Sequence, residues 1–172
     1  MEKAQDTFLE AYKEYSDPIF RFCLFKLSDR EMAKDFMQDT FTKTWMLLAK
    51  KKVEIKSLKA ILYKIAGNLV IDEYRRRGRR GLGASLDDLH EGGFDVSIDD
   101  NASMMDQIDG KKAVKLIAEI QEPYGEAVFM RYVQGLELDE MAKITGASEN
   151  TMSVRVHRGI SILKKLFNKE NE

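Results

Sequence analysis

The sequence predicts an all-α protein: two small helical modules joined by an acidic flexible linker, the second containing a helix-turn-helix. Three observations predict it. The 172 residues hold only two prolines and long glycine-free runs, which favours helices over a β fold. Apolar residues recur at three- and four-residue spacing along most of the chain. Residues 81–110 break both patterns, with five of the eleven glycines, eight acids and no Lys or Arg. Like-charged Gly/Asp-rich stretches of this length are usually linkers. A compact acidic loop within one domain is the alternative. The expected division is residues 1–80, a linker at 81–110, and residues 111–172.

Four helical patterns precede the linker. AQDTFLEAYKEY places Phe8, Ala11, Tyr12 and Tyr15 on one helix face. DPIFRFCLFKL offers Asp17 as an N-cap and Pro18 at the first helical position, so a new helix is expected to start there. SDREMAKDFMQDTFTKTWMLLAKK sets Ala33, Phe36/Met37, Thr40/Phe41, Thr44 and Leu47/Leu48 on one side. Asp35, Gln38, Asp39 and Lys43 fall on the other. SLKAILYKIAGNLVIDEYRRRGRR carries Leu58, Ile61/Leu62, Ile65 and Leu69 at helical spacing and ends in a run of arginines. Beyond the linker, DGKKAVKLIAEIQEPYGEAVFMRYVQGL reads as two helices broken at Pro123.

The last pattern carries the clearest shape. LDEMAKIT is helical with Leu138, Met141 and Ala142 inward, and Gly146 supplies the left-handed residue that ends it. Ser148 is the natural N-cap of the next helix. Met152, Val156, Ile160 and Leu163 repeat at i, i+4, i+8 and i+11, with Gly159 on the same side. At about 100° per residue, Asn150, Val154, His157, Arg158 and Ser161 then face away, flanked by Ser153 and Arg155. That face is polar and short of acids, as a helix entering a major groove requires. Val154 is apolar among polar neighbours, and a thymine methyl would give it a partner. A helical hairpin with a merely solvated face fits the same pattern.

The overall balance, 28 Lys/Arg against 29 Asp/Glu, conceals an uneven distribution. Residues 1–80 carry 18 bases and 12 acids, and residues 111–172 carry 10 and 9, so the acidity lies in the linker. Tyr63, Asn68 and the arginines Arg75, Arg76 and Arg77 suit backbone neutralisation with a side chain able to read a base. A solvated helix end, and for Tyr63 a core position, are the plainer readings. Catalytic constellations are missing. His90 and His157 are the only histidines and lack further ligands at metal spacing, and GLGASL falls short of a dinucleotide fingerprint. Neither a cofactor nor a metal is expected. The single cysteine, Cys23 in FRFCLF, is expected to be buried and inert. The charged start lacks a signal peptide's apolar segment and no membrane-length run exists, so a cytoplasmic location is expected.

In order, DPIFRF, REMAKDFMQDTFTKTW and LKAILYKIAGNLVIDEYRRR, an acidic segment, then EPYGEAVFMRYVQGLELDEMAKITGASENTMSVRVHRGISILKKL resemble the extracytoplasmic-function (ECF) class of bacterial sigma factors. The similarity covers nearly the whole chain outside the linker. It implies that residues 1–80 bind the clamp of the beta-prime subunit of core RNA polymerase and melt the minus-ten element. It implies that residues 111–172 read the minus-thirty-five element. KDFMQDTFTKTW is similar to the docking helix, which points to Asp35, Gln38, Asp39, Phe41 and Trp45, with Phe41 favoured as core. LYKIAGN is similar to the minus-ten helix, with Asn68 at a base-contacting position. SENTMSVRVHR is similar to the minus-thirty-five helix, pointing to Ser153, Val154, Arg155, His157 and Arg158 beside Ser148 and Asn150. The chain departs from the family at Ile61, often Trp, at Ser153, often Lys or Arg, and at Val154, often Ser. Many members are held by an anti-sigma protein, and a free monomer is expected. In the family the linker threads near the polymerase active site, where Asp87, Asp88, Asp95, Asp99 and Asp100 would mimic nucleic acid or repel DNA. The rival readings are a helix-turn-helix regulator with an N-terminal dimerisation or sensing bundle, and an adaptor that docks polymerase without reading DNA.

Overall fold

The computed structural model of the chain describes residues 2–50, 55–79 and 104–170, and among them every regular element is a helix. The described residues fall into two compact units, one on either side of residues 80–103. Arg80, His90 and the five linker aspartates lie outside the described residues.

The first unit is three helices: α1 (Glu2–Leu27), α2 (Arg30–Ala49) and α3 (Leu58–Arg79). Its core joins Ile19, Phe22 and Leu27 of α1 to Ala33 and Phe41 of α2 and to Leu62, Ala66 and Val70 of α3. Two threonines also lie in it, and each returns its hydroxyl to its own helix. Thr40 donates to the Phe36 carbonyl at 2.6 Å and Thr44 to the Thr40 carbonyl at 2.8 Å, so neither buried hydroxyl is left unsatisfied. The turn into α2 places Ser28 at φ 52, and Asp29 caps the helix by accepting from the Met32 N–H at 3.0 Å. The Tyr74 hydroxyl donates to the Lys26 carbonyl, tying the end of α3 to the end of α1.

Two expectations are corrected here. No helix starts at Asp17: α1 runs unbroken through Pro18. Proline inside a helix forfeits a hydrogen bond and costs about 3 kcal/mol. Ile19, Phe22, Cys23 and Leu27 follow it directly and are all but fully buried, and that burial offsets the loss. Asp17 caps nothing and pairs instead with Arg21 at 2.9 Å. On α3 the buried stripe is Leu62, Tyr63, Ala66, Val70 and Glu73, while Leu58, Ile61, Ile65 and Leu69 are half-buried. The helix is thus turned by about one residue from the expected face.

The second unit contains α4 (Met104–Glu119), α5 (Tyr124–Val128) running into a wider π-type turn (Phe129–Val133), α6 (Leu138–Thr145) and α7 (Glu149–Glu170). Pro123 separates α4 from α5 as expected. Helix α4 begins inside the stretch expected to be linker, because MMDQID holds neither glycine nor proline. Gly110 is tolerated within it at a cost near 1 kcal/mol. Val114, Leu116 and Ile117 of α4 share the buried set with Ala127, Val128, Phe129, Met130, Leu136, Met141 and Met152. Helix α7 reaches this core at Gly159. A Cβ there would stand 2.4 Å from Val128 Cγ2 and 2.8 Å from the Tyr124 carbonyl oxygen, so only glycine allows so close a crossing.

Candidate nucleic-acid interface

The turn between α6 and α7 follows from three residues. Gly146 has φ 77 and returns its N–H to the Ala142 carbonyl at 2.9 Å, closing α6. Ser148 caps α7 by accepting from the Thr151 N–H at 3.0 Å. The start of α6 is held as firmly. The Glu137 N–H donates to Glu140 Oε2 at 2.9 Å, and Arg131 reaches the Leu136 carbonyl at 2.9 Å and the Glu137 carboxylate at 3.1 Å.

These fixtures aim one face of α7 outward. Met152 and Gly159 are buried, and Val156, Ile160 and Leu163 are half-buried. Asn150, Ser153, Val154, His157 and Arg158 are exposed together, with Arg155 half-buried on the flank. Val154 is 41% exposed, an apolar residue held in water. Arg155 and Arg158 have no carboxylate partner among the described residues. Arg158 donates to the Tyr124 hydroxyl at 3.3 Å, and Arg155 lies 3.9 Å from the Met152 sulfur. Between α7 and the Pro123–Tyr124 corner lies a cleft of about 310 Å³ lined by Asn150, Val154, Arg155 and Arg158.

The candidates on α3 divide. Tyr63 is 2% exposed and packs edge-on against Phe22 at 5.4 Å, so it belongs to the core and offers no platform for a base. Asn68 and Arg75 are exposed. Arg76 and Arg77 instead converge on Glu73, itself 7% exposed. Arg76 grips it with Nε at 2.7 Å and Nη2 at 2.6 Å, and Arg77 Nε stands at 2.8 Å. Hydrogen bonds from Arg76, aided by Arg77 and by both charges, outweigh burial and bring the Glu73 carboxyl down to about 2.

On α2, Asp35, Gln38 and Asp39 are exposed along one side, while Phe41 is buried as expected. Trp45 is half-buried and stands edge-on to Phe8 at 5.3 Å. Beside Gln38 opens a groove of about 720 Å³ lined by Phe8, Leu9, Tyr12, Phe41 and Trp45. Leu9 and Tyr12 are 48% and 42% exposed. Elsewhere in this unit Cys23 is buried, and burial pushes its thiol up to about 12, leaving it unreactive at neutral pH. No helix among the described residues is long and apolar enough to cross a membrane.

Both units are similar to known proteins. Residues 11–80 match the family described as Sigma-70 region 2, and residues 111–163 match Sigma-70, region 4. The chain is 27% identical over 161 residues to the ECF RNA polymerase sigma factor SigM of Bacillus subtilis, covering 93% of this chain and 94% of SigM. This chain belongs to the ECF sigma factors. SigW of Bacillus subtilis is 24% identical, with 94% and 89% covered. BldN of Streptomyces coelicolor is 23% identical over 97% of this chain, which spans only 64% of BldN's length. The fold agrees with the sigma factor RpoE of Bartonella quintana, solved in complex with the anti-sigma factor NepR. That match has a TM-score of 0.68 and 26% identity, with 95% and 98% of the chains covered.

Three residues at this sigma factor's surfaces are not among the candidates the sequence offers. Leu9 lies off the apolar stripe of its helix and Tyr12 on it, yet both line the groove of α1 and α2. A large apolar residue outside the buried period was the available signal for Leu9. Tyr124 meets Arg158 across 34 positions, and no local pattern announces such a contact.

Proposed function

We propose that this sigma factor binds core RNA polymerase and directs it to promoters, with no bond chemistry of its own. The observation that carries the reading is the joint presence of region 2 and region 4, in that order, in one chain. The first unit docks on the polymerase clamp through Asp35, Gln38, Asp39 and Trp45, and the groove at Leu9 and Tyr12 adds apolar area to that surface. Its α3 presents Asn68 and Arg75 to the minus-ten element. The second unit lays α7 in the major groove at the minus-thirty-five element, with Asn150, Ser153, Val154 and His157 toward the bases and Ser148, Arg155 and Arg158 alongside. The few cations of α7 would bind DNA weakly alone, and two weak readers held on one polymerase gain through effective concentration.

An anti-sigma protein is the second proposed partner of this otherwise monomeric chain. Its support is the complex in which RpoE of Bartonella quintana was solved. The expected behaviour is competition, such a protein binding the free chain and blocking its access to core polymerase.

The test is multi-round transcription by sigma-free core polymerase, with and without the chain, on fragmented DNA from its source organism. Discrete new transcripts sharing an upstream sequence are expected. Background transcripts alone, from protein shown to be folded, would overturn the reading in favour of a regulator or a polymerase-docking decoy.

A further inference from the structure

The arginines whose side chains are described fall into three groups. Arg21, Arg75, Arg76, Arg77 and Arg131 each pair with a carboxylate within 4 Å, and Arg30 lies over the Phe20 ring. Arg155 and Arg158 pair with none, and both border the cleft between α7 and the Pro123–Tyr124 corner. Two guanidiniums left without a counter-charge on one wall of a cleft call for an anion. Asn150 and Thr151, in the first turn of α7, border the same cleft, and the positive end of the helix dipole adds a little to the field there.

We propose that this cleft seats one phosphate of the DNA backbone, held by Arg155 and Arg158, with Tyr124 as a positioning residue that acts through Arg158. The proposal rests on the sigma-factor reading and sharpens it, because it takes both arginines away from base recognition. Reading guanine requires a guanidinium extended end-on with both nitrogens free. The Arg158 guanidinium is instead drawn back against α5 by the Tyr124 hydroxyl at 3.3 Å. Val154 borders the cleft and is exposed on the α7 face that also carries Ser153 and His157. A phosphate seated here would fix the register of that face on the duplex, which is what phosphate contacts do in general.

Two measurements test it. The free full-length chain is titrated against a short duplex of arbitrary sequence over a range of salt concentrations. Arg155→Ala and Arg158→Ala should each make the dependence of log K on log salt shallower by about one. Tyr124→Phe should weaken binding about threefold, equally on every sequence. Unchanged salt slopes in both arginine variants would overturn the proposal whether or not a promoter is known. The second measurement uses polymerase holoenzyme on a promoter fragment carrying single neutral methylphosphonate linkages. One linkage should weaken wild type about tenfold and have no added effect in Arg155→Ala or Arg158→Ala. If Arg158→Ala instead relaxes base preference at one position and leaves every methylphosphonate effect intact, the residue reads a base and the proposal is wrong. Failure of wild-type holoenzyme to select any promoter would count against the sigma reading alone, since the salt-slope result stands without it.

Discussion

Helices α3 and α7 both present arginines at candidate DNA-contacting positions, and they use them in opposite ways. The end of α3 is the more basic by far in sequence, yet two of its guanidiniums, Arg76 and Arg77, are gathered onto the buried Glu73. Helix α7 is less charged, and its Arg155 and Arg158 meet no carboxylate among the described residues. Cation count thus overstates the field a polyanion meets. A buried carboxylate neutralises its neighbours and turns them into parts of the fold. Arginines left without a carboxylate in the folded state are the ones that retain a counter-charge to find.

The largest effect is expected from unseating α7. Gly159→Ala gains helix propensity of about 1 kcal/mol in an isolated helix. Against that, the new Cβ meets Val128 Cγ2 and the Tyr124 carbonyl well inside contact distance. Overpacking against backbone wins, and the second unit is expected to lose about 3 kcal/mol. Differential scanning calorimetry should show one transition lowered and the first unit's unchanged, with duplex binding lost alongside. An unaltered thermogram would mean that α7 does not cross α5 this closely.

Next in size is Glu73→Gln, which removes the charge that holds Arg76 and Arg77. The first unit is expected to lose about 2 kcal/mol, while non-specific DNA binding strengthens as two guanidiniums are released. The sign of the pH effect follows from the lowered carboxyl. Glu73 titrates near 2 in the folded chain against an ordinary value of 4.5, so its contribution is complete above about pH 4.5. It is lost as pH falls toward 2. Urea midpoints of wild type and variant should therefore differ most near neutrality and converge at the acid end. A gap that stays constant down to pH 2 would locate the stabilisation outside the ion pair.

How far the molecule was legible follows from the range of each interaction. Gly146, Ser148 and the outward face of α7 were readable because a left-handed turn, a cap and a helical period are set within a few residues. Pro18 misled because a start signal is local, whereas the burial of Ile19, Phe22 and Leu27 that carries α1 through it is not. On α3, apolar side chains occupy both Ile61/Ile65/Leu69 and Leu62/Ala66/Val70, so periodicity alone could not choose the buried stripe. The packing of Tyr63 on Phe22 and the burial of Glu73 did. IDEYRRR spaces Glu73 three and four residues before Arg76 and Arg77, which allows the pairing without announcing it. What could not be read was that the carboxylate would be inside.

A smaller effect sharpens the α3 side. Asn68 is exposed on that helix, and Asn68→Ala should slow promoter opening about tenfold, near 1.4 kcal/mol, with closed-complex formation little changed. A template melted in advance should restore the rate. If it does not, Asn68 acts before opening, and the minus-ten role passes to the arginine end of the helix.

The smallest expected effect sits on the α7 side and tests whether its face reads bases at all. Val154 is 41% exposed among polar neighbours, and an apolar side chain has nothing to gain from a phosphate. It can gain from a thymine methyl, worth about threefold in affinity, near 0.7 kcal/mol. Val154→Ala should therefore weaken holoenzyme binding about threefold on a promoter carrying thymine at the contacted position. Replacing that thymine with deoxyuridine removes the methyl and keeps every hydrogen-bonding atom. It should cost wild type the same factor and cost the variant nothing more. If the two losses multiply instead, Val154 and the methyl do not touch, and base reading on α7 rests on Asn150, Ser153 and His157.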